Sequence, residues 1–258
     1  MVLFVRRMMF AALVPGFLSY VAWGATLESP FPSDVTGLTI PNAHEMIRGP
    51  GRVIRGNAPN QRVGELIDLG ITDVLMFKTP NDVPGTDTND LAVERVAIEQ
   101  AARAANRDVN VHWIPFAWRD VRDPELACRQ LVQGLRLIEE VAKDAHRSLF
   151  FHCTVGEDRT GMLAGLSRMI HQGWSKRGAF QNEMCAHGYE RGNPGKPDFV
   201  VQTIRRELTP IYLRMAGMIE TGRLSAKKLN ESVCRGLIER PLPTGTWECE
   251  AQPVPATR

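Results

Sequence analysis

Short apolar stretches alternate with segments of helical spacing along most of this chain. Residues 73–77, 109–114 and 148–152 have the length and composition of strands buried on both faces, and residues 52–55 form a weaker candidate. Between them the period changes. Val63, Leu66 and Ile67 mark a helix over residues 60–69, and alanine and charge fill another over 91–105. Leu126, Leu131, Leu135, Ile138 and Val141 mark a long helix from Pro124 to about residue 145, with the proline at a first-turn position where its missing N–H costs nothing. A further helix spans 160–171 and stops at Gly173. Beyond it the pattern predicts helices near 175–187, 198–208, 211–220 and 225–239. Residues 79–90 and 115–123 read as loops. Residues 25–50, with Pro30, Pro32 and Pro41, show little period and read as an irregular leader wrapping the domain. Strand–helix alternation followed by helices predicts an α/β fold: a central sheet flanked by helices, with extra C-terminal helices. The folded unit is expected over residues 51–240, followed by a tail at 241–258.

The first 24 residues change the picture. Arg6 and Arg7 precede a mostly apolar run that ends in Ala22-Trp23-Gly24, the layout of a secretory leader cut before Ala25. Pro15, Gly16 and Ser19 interrupt that run, which makes it a poor bilayer span. No later segment is long and apolar enough to cross a membrane. The expectation is a periplasmic or secreted protein with no membrane span after cleavage. The two leader arginines account for the whole formal net charge of +2. A neutral mature chain is no general polyanion binder, so nucleic acid is not an expected partner, and any anionic ligand needs a local basic cluster. Of the five cysteines, Cys234 and Cys249 are the pair that could clip the tail back, and Cys128 and Cys185 read as buried thiols in helices. No spacing suggests a metal site, and no cofactor is implied.

Cys153 carries the chemistry. It lies in His152-Cys153-Thr154-Val155-Gly156-Glu157-Asp158-Arg159-Thr160, between an apolar strand and a helix. A phosphate ester repels nucleophiles unless inward-pointing amides and a cation hold it first. A short strand-to-helix turn supplies such an anion nest, and the helix N-terminus adds partial positive charge. Thr154, Val155, Gly156, Glu157 and Asp158 would present their amides, and Gly156 lets the backbone come close. Arg159 offers a planar fork for two phosphoryl oxygens. Cys153 would attack phosphorus as the thiolate, and Thr160 would donate to its sulfur. His152 orders the loop rather than acting as a base. Glu157 and Asp158 would oppose anion binding if they turned inward. Asp158 is therefore expected to tie the loop to a neighbouring backbone or basic group, and Glu157 to face the rim or solvent.

The nine residues resemble the signature loop of the cysteine-dependent protein tyrosine phosphatase superfamily: His-Cys, five residues, Arg, then Ser or Thr. The Asp158–Gly161 ending is similar to that of bacterial members, and the resemblance extends over residues 52–170. Within the superfamily the chain resembles the tyrosine-phosphatase-like inositol polyphosphatases, the cysteine phytases of bacteria. The resemblance implies a phosphatase-like core, a cysteinyl-phosphate intermediate and no metal. It also implies a carboxylic acid on a loop ahead of the long helix, commonly in Trp-Pro-Asp. Here the matching triplet is Trp118-Arg119-Asp120, so Asp120 is the expected general acid and Trp118 the anchor of its loop. Asp123 is the rival, equally suited to capping the helix that follows.

Lys78, Arg119 and Arg122 are candidates for holding a second phosphate, with Arg55, His187, Tyr189, Arg191 and Lys196 as weaker ones. The expected ligand is a small phosphorylated molecule, an inositol polyphosphate such as inositol hexakisphosphate. The alternative is a protein tyrosine or dual-specificity phosphatase, or a broad phosphomonoesterase. The position of first attack and the oligomeric state stay open. A phosphate-binding module without turnover would lack nucleophile or acid, and this chain has both. A sulfurtransferase would need neither the Arg159-Thr160 pair nor a separate acid.

Overall fold

The computed structural model describes residues 28–80, 90–237 and 247–253. The leader with its cleavage site, nearly all of the 79–90 loop and much of the 241–258 tail lie outside the described residues.

Among the described residues, five strands form one sheet in the order β1-β2-β5-β3-β4. They are β1 His44–Arg48, β2 Arg52–Gly56, β3 Asp73–Met76, β4 Asn110–Trp113 and β5 Ser148–His152. β1 runs antiparallel to β2, and every other pairing is parallel. The carboxyl ends of four strands therefore open on one edge, where ligands bind in open α/β sheets. At that edge His152 of β5 stands beside Gly56 of β2 and Met76 of β3.

Side chains alternate across the sheet with period two, and this assigns its two cores. Val53, Leu75, Leu149 and Phe151 face the larger core. Two long helices cover it, α3 (Pro124–Ala142) and α4 (Asp158–Gln172), together with the C-terminal helices α6 (Asp198–Glu207) and α7 (Thr209–Glu220). Ile54, Val74 and Phe150 face the smaller core. It is closed by α1 (Val63–Asp68), α2 (Asp90–Ala104) and apolar residues of the N-terminal segment, Val35, Leu38 and Ile40. The result is an α/β core with a mixed central sheet, helices on both faces and extra C-terminal helices.

Three departures from the pattern have physical reasons. The irregular leader contains β1, which joins the sheet edge through backbone pairing that side-chain period does not reveal. The segment predicted as one helix at 175–187 is instead a turn of α-helix (α5, Lys176–Gly178), a π-helix at Ala179–Met184 and a 3-10 turn at Cys185–His187. This change of pitch brings Glu183 to Arg55 and Arg168 and leaves Cys185 beside the tail. The helix predicted at 225–239 shrinks to a 3-10 turn at Glu231–Cys234, started by the Asn230 side chain accepting from Ser232 N–H at 2.9 Å.

The cysteine pairing also differs from the sequence reading. Cys128 is bonded to Cys234, and Cys185 to Cys249, leaving Cys153 as the free thiol. The Cys234–Cys249 clip is absent, and neither Cys128 nor Cys185 is a thiol. Each helical cysteine instead anchors one stretch of the C-terminal region. These closures span 106 and 64 residues of chain, long enough to restrict the unfolded ensemble strongly. Replacing both Cys128 and Cys234 by alanine should cost about 2–5 kcal/mol of stability in urea denaturation followed without reductant. An unchanged midpoint would show that this cross-link contributes nothing.

Candidate active site

The loop that joins β5 to α4 is built by fixing its carbonyls. His152 Nδ1 lies 2.8 Å from Cys153 O, Ala58 N–H donates to Thr154 O at 3.2 Å, and Asn42 Nδ2 donates to Gly156 O at 3.1 Å. Arg55 Nη2 donates to the same Gly156 carbonyl. In a trans peptide the N–H points opposite to the carbonyl of its own unit, and the described chain has no cis bond. Three carbonyls held against the protein body therefore turn the N–H groups of Thr154, Val155 and Glu157 the other way, across the loop. These three amides share one side of the turn at the N-terminus of α4, the arrangement that an anion nest requires.

Gly156 makes the turn possible. Its φ is 68°, and a Cβ there would lie 2.4 Å from Gly56 O and 2.6 Å from Asn57 N. The loop is packed on the end of β2 too closely for any side chain.

Cys153 is 2% exposed, at the base of this loop. Arg159, 4% exposed, is aimed by two acceptors: Nη1 donates to Phe116 O at 3.2 Å and Nη2 to Thr154 Oγ1 at 3.1 Å. Thr160 Oγ1 is buried with no hydrogen-bond partner among the described residues, which leaves its proton available to an incoming group or to the sulfur.

The two aspartates of the preceding loop separate by environment. Asp123 caps α3, accepting from Leu126 N–H at 2.9 Å, which occupies it structurally. Asp120 is exposed with φ of 55°, and no hydrogen bond or ion pair among the described residues holds its carboxylate. Trp118 packs against the larger core, and the Arg119 guanidinium lies 5.4 Å from its ring centroid. Arg122 is exposed, its N–H donating to Asp120 O at 2.8 Å.

Other basic candidates are engaged inside the protein. Lys78, at the end of β3, is 3% exposed, with its ammonium 2.8 Å from Glu94 of α2. Glu94 also approaches His152 Nε2 at 3.0 Å. Burial pushes the Glu94 carboxyl up, but His152 and Lys78 outweigh it and bring it down to about 2. Lys78, Glu94 and His152 thus stand in contact behind the loop. Arg55 is fully buried, and its second contact is Glu183 at 2.8 Å. Burial raises the Glu183 carboxyl, yet Arg55, His187 and Arg168 together hold it below the ordinary range.

Glu157 departs from the sequence reading. It does not face rim or solvent but is fully buried, accepting from Ser29 Oγ at 2.7 Å and Asn193 Nδ2 at 3.0 Å. The side chain of Lys196, placed in sequence among rim candidates, is 6% exposed, 3.1 Å from Glu157 and 2.6 Å from Asp158. Asp158 in addition accepts from Glu190 N–H at 2.9 Å. Asn42, Arg55 as a carbonyl anchor, Glu94 and Glu183 were not read from the sequence as parts of the site. The one signal was Arg55, a cation closing an apolar strand. Among the described residues no group of three or more His, Cys, Asp or Glu is placed to hold a metal ion.

Gly156→Ala should cost about 1–3 kcal/mol in packing alone, with left-handed strain added, and should abolish measurable turnover. Urea denaturation and hydrolysis of p-nitrophenyl phosphate read the two effects. An alanine variant with normal turnover would mean that the loop does not need this backbone path.

Among solved structures the chain is similar to TpbA of P. aeruginosa, at 24% identity and a TM-score of 0.44, covering 72% of this chain and 97% of that one. It is also similar to the core catalytic domain of the PP-IP phosphatase Siw14 of S. cerevisiae, at 18% identity and a TM-score of 0.42, covering 76% and 98%. A third is Tk-PTP in its active form, at 20% identity and a TM-score of 0.42, covering 70% and 97%. No curated protein matches significantly. The family model described as tyrosine phosphatase family matches residues 34–171, more than half of the chain and the whole span from the N-terminal segment through α4. The chain belongs to the tyrosine phosphatase family.

Proposed function

We propose that this cysteine phosphatase acts on singly phosphorylated esters, with phosphotyrosine in protein as the leading substrate class. The observation that carries this reading is where the cations go. Lys78 is committed to Glu94, Arg55 to Glu183 and Gly156 O, and Lys196 to Glu157 and Asp158. Basic residues around the cysteine loop are, with the secretory leader and the loop itself, the ground for expecting an inositol polyphosphate, and three of those basic candidates are spent inside the protein. Arg119 and Arg122, exposed beside Asp120, are what still favours a polyphosphorylated ligand, and they sustain it as the second reading.

The reaction follows from the residues. The amides of Thr154, Val155 and Glu157 and the Arg159 fork hold the non-bridging oxygens. The Cys153 thiolate forms the S–P bond as the P–O bond to the leaving group breaks, and Asp120 gives that oxygen its proton. Asp120, now a carboxylate, takes a proton from the attacking water. The S–P bond breaks, inorganic phosphate leaves and the thiolate returns, with Thr160 donating to the sulfur as its charge develops. The loop itself supplies the positive charge for both steps.

Export is part of the same proposal. Two disulfides within one chain suit an oxidising compartment, and the leader has the layout of a secretory one.

Cys153→Ser should show no turnover while still binding phosphotyrosine peptide, and Asp120→Asn should slow poor leaving groups by about 10²–10⁴-fold. With both substrates at matched concentration, phosphotyrosine peptide should turn over faster than inositol hexakisphosphate. The reverse order would replace the single-ester reading with the polyphosphate one.

A further inference from the structure

Two carboxylates sit next to each other inside a loop whose task is to receive an anion. Glu157 is the last residue of the cradle, and its amide faces the ligand side. Asp158 opens α4. A phosphate dianion bound there would meet them at close range, and neither is screened by water as a surface group would be.

Lys196 answers this charge. It comes from the turn between the 3-10 segment Glu190–Gly192 and α6, far along the chain from the loop. An ammonium has three donors, and all three are placed: on Asp158 Oδ1 at 2.6 Å, Glu157 Oε2 at 3.1 Å and Gly188 O at 2.8 Å. The remaining acceptor capacity of Glu157 is filled by Ser29 Oγ at 2.7 Å and by Asn193 Nδ2, at 3.0 Å to Oε1 and 3.3 Å to Oε2. Burial pushes Lys196 toward the neutral amine, but Asp158 and Glu157 outweigh it and raise it above the ordinary lysine value. Burial pushes Glu157 up in turn, against the pull of Lys196 and Ser29.

We propose that Lys196 is a positioning residue for catalysis: it acts through Glu157 and Asp158 as the internal counter-ion that lets the loop accept a phosphate dianion. The clamp then carries one net negative charge in place of two. It also turns both side chains to the back of the loop, which keeps the Glu157 amide on the ligand side. The proposal rests on the cysteine-phosphatase reading of the loop and not on which ester is hydrolysed.

Charge compensation has a consequence that a purely structural role lacks: removing a negative charge should repair the loss of the positive one. Lys196→Met should weaken inorganic phosphate, measured as a competitive inhibitor of p-nitrophenyl phosphate hydrolysis, by about tenfold, with KM rising more than kcat falls. Adding Glu157→Gln to Lys196→Met should restore most of that affinity. Glu157→Gln alone keeps the lysine and leaves the clamp neutral, so it should bind phosphate tighter than the unaltered protein. This variant decides the matter if Lys196→Met does not fold. A double variant that binds phosphate no better than Lys196→Met, or a Glu157→Gln protein no tighter than the parent, would overturn the proposal. If the unaltered protein neither hydrolyses p-nitrophenyl phosphate nor binds phosphate, the phosphatase reading fails, and that result is distinct from either of these.

Discussion

A peptide unit cannot point its carbonyl and its N–H the same way, and the site depends on this constraint. Five residues between β5 and α4 receive an anion only if their amides converge. Their orientation is set through the carbonyls of the same peptide units. His152 meets that of Cys153, Ala58 N–H that of Thr154, and Asn42 with Arg55 that of Gly156. The loop is preorganised from behind, and the front is left for the substrate. Preorganised dipoles of this kind need no rearrangement when charge develops, which is why they lower barriers effectively.

Holding carbonyls from behind requires donors in the interior, and interior donors bring charge. Arg55 is compensated by Glu183, which Arg168 also holds at 2.7 Å. Lys78 and His152 share Glu94, and Lys196 is balanced by the loop's own carboxylates. Replacing such pairs by apolar side chains can be neutral or stabilising, so stability alone does not account for them. Their common feature is position: each lies behind a residue of the cysteine loop. They constrain the orientation of one short turn, while the two hydrophobic cores on either side of the sheet supply the stability.

Local features of this arrangement were legible in the sequence. β5 lies at residues 148–152 as its apolar run indicates, α3 begins at Pro124, and α4 ends at Gly173, which takes the left-handed conformation. The cysteine loop could be recognised because its residues are contiguous. What could not be read depends on distant partners. Glu157 looks exposed until Lys196, Asn193 and Ser29 are brought against it. Lys78 looks like a ligand contact until Glu94 of α2 packs beside it. β1 has only backbone pairing to define it, since its five residues, His-Glu-Met-Ile-Arg, do not alternate apolar with polar. The disulfide pairing was likewise closed to spacing arguments, because two helices decide which cysteines meet the C-terminal region.

The most direct measurement is of the loop amides themselves, in the 15N-labelled Cys153→Ser protein titrated with inorganic phosphate. The account predicts that the N–H resonances of Thr154, Val155 and Glu157 move downfield together and saturate at one ligand concentration. Binding of phosphate that leaves these three resonances in place would contradict it, since the anion would then be held by something other than the inward face of the turn.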